Sequence, residues 1–272
     1  CVHCHGLTGD GRGPTGLWIQ PHPRDYRQGV FKFVSTEGTG PRKPRRADLL
    51  RTLKAGIPGT SMPAFGLLPE EQLERIVDYV VHLSVRGEAE YHMLRVLLSE
   101  GEEGLEADIP TDAREWAKRA LRGWAEAEGS VIRPERAPPE LSDAERMTPG
   151  HYESVRRGYE LFIDPKGVGC ASCHTDFGRG STFRYDVWGT LVRPRDLTEG
   201  VFKGGEGPLD VYRRLRGGIG PSQMPAVTTL SEDQVWDLVH FVRALPYPRF
   251  LPPDVREKVY PKEARSLESV SR

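Results

Sequence analysis

Cysteine and methionine are scarce in this chain, four of each in 272 residues, and no cysteine lies outside two five-residue runs. Long apolar stretches are missing as well: none approaches the roughly 20 residues that a membrane-spanning helix needs. Nor is there an excess of one charge, since 38 basic and 39 acidic residues leave a formal net of −1. A chain that is not basic overall and has no recognition motif is not built to hold nucleic acid. What is plentiful is backbone punctuation, 30 glycines and 23 prolines, beside a modest 37% of hydrophobic residues. The length fits two domains. Units of that size with so little apolar material bury a small core unless something else fills the centre.

The two cysteine runs are Cys1-Val2-His3-Cys4-His5 and Cys170-Ala171-Ser172-Cys173-His174, two copies of C-x-x-C-H. Cysteines three residues apart on a helical turn point the same way, so two thiols meet two neighbouring vinyl groups of a porphyrin while the next histidine swings beneath the iron. The run therefore reads as a covalent haem c site, twice. A zinc site formed by the four cysteines and a redox-active dithiol are the other readings of C-x-x-C. Against zinc stands the histidine placed identically after each pair. Against the dithiol stands the lack of an alternating strand and helix pattern around either motif.

A second candidate ligand recurs downstream. Met62-Pro63 lies 57 residues after His5, and Met224-Pro225 lies 50 residues after His174, in the matching contexts Gly56-Ile57-Pro58-Gly59-Thr60-Ser61-Met62-Pro63-Ala64 and Gly218-Ile219-Gly220-Pro221-Ser222-Gln223-Met224-Pro225-Ala226. A lone methionine is usually core filler; two in matching positions read as axial ligands, whereas Met93 and Met147 read as packing residues. The halves agree elsewhere too. Pro23-Arg24-Asp25 matches Pro194-Arg195-Asp196, and Gly29-Val30-Phe31-Lys32 matches Gly200-Val201-Phe202-Lys203. After each methionine a helix opens, at Pro69 in one copy and with a Ser231/Gln234 capping box in the other. Leu73, Ile76, Val77 and Val80, and then Val235, Leu238, Val239 and Val242, carry the helical period.

On these residues the chain resembles the class I cytochrome c family, and its tandem layout resembles the dihaem members. The resemblance covers residues 1–86 and 151–246. It implies an all-α fold of two haem domains joined by a helical linker, two covalently attached haems c, and Met-Pro loops closing over the haem faces opposite His5 and His174. It also implies a helix over 151–163 whose Gly158, Tyr159 and Phe162 meet Phe241 of the last helix. Tyr79 is the first copy's counterpart of Phe241; its partner helix, together with an export signal, is expected to precede residue 1. The Pro-Arg-Asp segments fall where the family wraps the haem edge, making Arg24 and Arg195 candidate propionate counter-ions and Trp18 and Trp188 candidate indole donors; surface salt links and core aromatics are the alternative.

Segment 87–150 holds 15 acidic and 8 basic residues. Helices are expected at 88–98 and 111–128, with Trp116, Leu121 and Trp124 packing the second on a haem domain before the Pro-rich run 133–139. The tail 247–272 reads as an extended strap. Arg42-Lys43-Pro44-Arg45-Arg46 with Arg51 and Lys54 is the densest basic patch, a solvated face or a docking surface. With His and Met on each iron no position is left for a substrate, so the function expected is single-electron transfer between redox proteins outside the cytoplasm, where haem c is attached. A dihaem peroxidase is the enzyme alternative; a subunit of a respiratory complex or haem polymer is the structural one.

Overall fold

The computed structural model describes residues 1–38, 42–105, 108–136, 140–186 and 189–261. It divides the chain into two compact units, one of Cys1–Ile132 with Ile219–Met224 and one of Arg133–Gly218 with Pro225–Arg272. Both are mainly helical, as the resemblance implied.

The first unit contains α1 (Val2–His5), α2 (Arg46–Ala55), α3 (Glu70–Glu100) and α4 (Ile109–Ala127). Leu73 and Val77, one turn apart on α3, close on Leu53 of α2, with Leu49, Leu50, Phe65 and Met62 around them. A one-turn 3-10 segment, Gly16–Trp18, interrupts the irregular stretch between α1 and α2. The last helix of the first haem domain does not end near 86: α3 continues to Glu100, so the expected linker begins as an extension of that helix. α4 folds back on α3. Its N-cap is Asp108, whose carboxylate accepts from the Thr111 N–H at 2.8 Å, three residues before the start expected from sequence. Trp124 is buried with Phe31 and Val34, edge-on to Phe31 at 5.4 Å, and Trp116 stacks on His92 of α3. The tryptophans thus hold the hairpin on the unit, as expected, but Leu121, expected to pack with them, is exposed; residues 137–139 of the Pro-rich run lie outside the described residues.

The basic patch is engaged internally. Lys43 pairs with Glu88 at 2.6 Å, Arg46 with Asp78 at 2.7 Å, Lys54 with Glu70 at 2.8 Å, and Arg45 with Glu128 at 3.4 Å. Two of these acidic partners, Glu88 and Glu128, come from the acidic segment. The exposed ones, Arg46–Asp78 and Lys54–Glu70, are each worth about 0–1 kcal/mol. The consequence of all four pairs is that the patch faces its own chain's acidic helices.

The second unit contains α5 (Pro149–Ile163), α6 (Cys170–Cys173), α7 (Pro208–Gly217), α8 (Glu232–Ala244) and α9 (Pro253–Val259), with a two-stranded antiparallel ribbon, β1 (Arg184–Tyr185) and β2 (Leu191–Val192). α5 crosses α8 as expected. Phe241 is fully buried and receives Tyr159 and Phe162 edge-on at 5.6 and 5.4 Å. Asp237 braces the crossing: its carboxylate accepts from Ser154 at 2.5 Å and from both ends of the Arg157 guanidinium at 2.8 Å. α8 opens with the Ser231/Gln234 capping box in both directions.

Two expectations are corrected. The described part of the tail is no extended strap: Pro248–Phe250 forms a 3-10 turn and Pro253 opens α9, burying Phe250, Leu251, Val255 and Val259 almost completely. Proline at the first helical position costs no hydrogen bond, which is why a Pro-rich sequence still coils here. Residues 262–272 lie outside the described residues. Met147, expected to pack, is 45% exposed, whereas Met93 is buried on α3.

Candidate functional site

Each C-x-x-C-H run forms one helical turn. The amide of His5 donates to Cys1 O at 2.8 Å and that of His174 to Cys170 O at 2.9 Å. This closure puts both sulfurs of a pair on one side and starts the histidine at the end of the turn. No disulfide joins any of the four cysteines. Cys4 Sγ lies 3.3 Å from Thr15 Oγ1, and burial pushes the Cys170 thiol up to about 11. A redox-active dithiol needs the opposite shift.

The histidines are fixed in the same way in both copies. His5 Nδ1 lies 3.1 Å from Arg24 O, and His174 Nδ1 lies 3.0 Å from Arg195 O. Burial lowers both histidines' affinity for a proton, partly offset by these bonds. Each is therefore a neutral imidazole with its hydrogen on Nδ1 and Nε2 as the acceptor nitrogen that would bind metal; in His5 that nitrogen lies 3.3 Å from the Tyr26 hydroxyl. This role of Arg24 and Arg195 was missed in the sequence, where only their charge drew attention; the signal was the repeated Pro-Arg-Asp itself. The Arg195 guanidinium turns elsewhere, donating to Val201 O at 2.8 Å and pairing with Glu199 at 3.3 Å.

The methionine loops also repeat. Ile57 N–H donates to Met62 O at 3.1 Å, and Ile219 N–H to Met224 O at 2.9 Å. Just beyond, Phe65 N–H donates to Leu53 O at 2.7 Å and Val227 N–H to Leu215 O at 2.8 Å. These bonds tie each Met-Pro loop to the end of the helix before it. Met62 packs against the Leu53, Leu73 and Val77 cluster. Trp18 is 86% exposed, and Trp188 lies outside the described residues.

In both copies these residues fit a covalently held haem, two thiols on one turn and an imidazole in the metal-binding tautomer, and in the first copy the same unit adds a thioether on an anchored loop. Among the described residues, no three His, Cys, Asp or Glu side chains gather as a metal-holding group, as a zinc cluster would require. Fold and site together define a c-type cytochrome.

Comparison with known proteins agrees. Residues 1–80 match the family model "Cytochrome C oxidase, cbb3-type, subunit III", and residues 155–246 match "Cytochrome c". Each match contains one C-x-x-C-H run. The chain belongs to the class I cytochrome c family as a tandem dihaem protein, with two covalently attached c-type haems. Among solved structures it is similar to a chain of the Kuenenia stuttgartiensis reducing HAO-like protein complex, with a TM-score of 0.64 and 25% identity over 90% of this chain and 91% of that one. A search of curated proteins gives no match.

Proposed function

We propose that the chain is a dihaem electron carrier that passes single electrons between redox proteins, working outside the cytoplasm as a subunit of a larger assembly. Cys1 with Cys4, and Cys170 with Cys173, would hold the haems covalently; His5 with Met62, and His174 with Met224, would bind the irons. The observation that carries this reading is the duplication of the whole support, Nδ1 on a Pro-Arg-Asp carbonyl and a hydrogen-bonded Met-Pro loop, in both copies. When bound, the haems supply a one-electron iron couple. The chain's own residues do the rest. The carbonyls of Arg24 and Arg195 fix the imidazoles in one tautomer, and the anchored loops present a soft thioether that favours the reduced metal. Ligands retained in both oxidation states leave little to rearrange on each transfer. Membership of an assembly is supported by the likeness, along nine-tenths of the chain, to a component of a protein complex.

The test is spectroscopic. Met62→Leu and Met224→Leu should each weaken the methionine-to-iron charge-transfer band of the oxidised protein and lower one midpoint potential. An unchanged band and unchanged potentials in both variants would remove the methionines from the ligand set. Rapid turnover of peroxide by the reduced protein would favour the peroxidase alternative instead. Native mass measurement on material from the source cells distinguishes a subunit from a free shuttle.

A further inference from the structure

The two sites share their cysteines, their histidines and the carbonyls that hold them, and then part company at the next residue but one. After Pro-Arg-Asp the first copy has Tyr26 and the second has Leu197. Tyr26 lies on the site itself. Its ring stacks on the His5 imidazole with centroids 4.8 Å apart, and its hydroxyl is 3.3 Å from Nε2, the acceptor nitrogen. It is held there from several directions. Its N–H donates to Gly9 O at 2.8 Å, Phe31 stacks behind it at 6.0 Å, and Trp124 of α4 closes on Phe31. Leu197 is buried and offers only hydrocarbon, and the aromatic neighbour of His174 is Phe162, with centroids 6.4 Å apart.

We propose that Tyr26 makes the two sites unequal, lowering the reduction potential of the site built on His5 below that of the site built on His174. This rests on the axial-ligand reading above and deepens it. The oxidised site carries one more positive charge than the reduced one, and a buried charge is disfavoured wherever its surroundings are apolar. With Nε2 on a metal, the Tyr26 hydroxyl would be left as a polar group in the shell of that ligand. Phe162, the aromatic neighbour of His174, brings no hydroxyl and provides no such stabilisation. Hydrogen bonding and the polarity of the shell around the ligand are among the few levers a protein has on this potential. The electron therefore settles on the second site when the two equilibrate.

A spectroelectrochemical titration of the holoprotein and of its Tyr26→Phe and Tyr26→Leu variants tests this. Tyr26→Phe keeps the ring and removes the hydroxyl. It should raise the lower midpoint, by about tenfold in the one-electron equilibrium or about 59 mV, and leave the upper one in place. Tyr26→Leu should do at least as much. A shift in the upper wave, equal shifts in both, or a shift only in Tyr26→Leu would overturn the assignment to the hydroxyl. Iron content of two per chain and an unchanged circular dichroism spectrum in Tyr26→Phe show that the fold is intact. Failure of the underlying reading looks different: the unmodified protein itself would lack two waves or the methionine band.

Discussion

Replacing Gly158 by alanine tests the helix crossing that frames the second haem site. A Cβ there would stand 2.1 Å from Asp237 O, 2.6 Å from Asp237 C and 2.8 Å from Phe241 Cβ. Ordinary contact begins at 3.4 Å, so α5 and α8 would have to separate by about 1.3 Å. Two of the obstacles are backbone and cannot swing aside. The residues that would lose contact are buried aromatics, Phe241 with Tyr159 and Phe162. Overpacking of this kind costs about 1–3 kcal/mol, and backbone obstruction puts it at the upper end. Alanine is intrinsically favoured over glycine in a helix by about 1 kcal/mol. The net expectation is a loss of about 2 kcal/mol, read from guanidinium unfolding followed by far-UV circular dichroism. Gly150 supplies the control within the same helix. Nothing lies within 4 Å of a Cβ there, so Gly150→Ala should be neutral or stabilising by up to about 1 kcal/mol. Equal behaviour of the two variants would show that the crossing is not set by close backbone approach.

Trp124→Ala should cost the first unit about 3 kcal/mol in the same unfolding assay, because it empties the place against Phe31 and Val34 that keeps α4 on α3; an effect below about 0.5 kcal/mol, typical of a surface site, would mean the hairpin is held otherwise. His240, beside Ser154 and His151, has its pKa lowered by burial to about 4 from 6.5. The folded state thus resists a proton that the unfolded chain takes up, so stability is fully present above pH 6.5 and falls as the pH drops toward 4. His151, lowered in the same direction, adds to the slope. Unfolding midpoints measured between pH 7 and 4 should fall more gently in His240→Leu; an identical slope would show that another group controls it.

The covalent haems were legible because their attachment is local and doubled: spacing within five residues needs no knowledge of the fold. The α5–α8 crossing was legible for a related reason, since Gly158, Tyr159, Phe162 and Phe241 fall on helical faces. The boundary at 86 was not. α3 passes straight through Gly87, where Arg27 approaches so closely that a Cβ would lie 2.4 Å from its Cα. That glycine is there for a neighbour some sixty residues earlier, and no local pattern shows it. The tail misled similarly: Pro248 and Pro253 were read as extended chain, whereas each opens a helical turn whose apolar side finds a core. The role of Arg24 and Arg195 was hidden because it belongs to their backbone carbonyls, which any residue would supply.

The most direct test of the account is a redox titration of the intact holoprotein combined with metal analysis. Both irons carrying a histidine and a methionine predicts two irons per chain, two reversible one-electron waves, and a low-spin oxidised spectrum showing the methionine band at both sites. One iron per chain, zinc in its place, or a high-spin oxidised iron open to added ligand would contradict it.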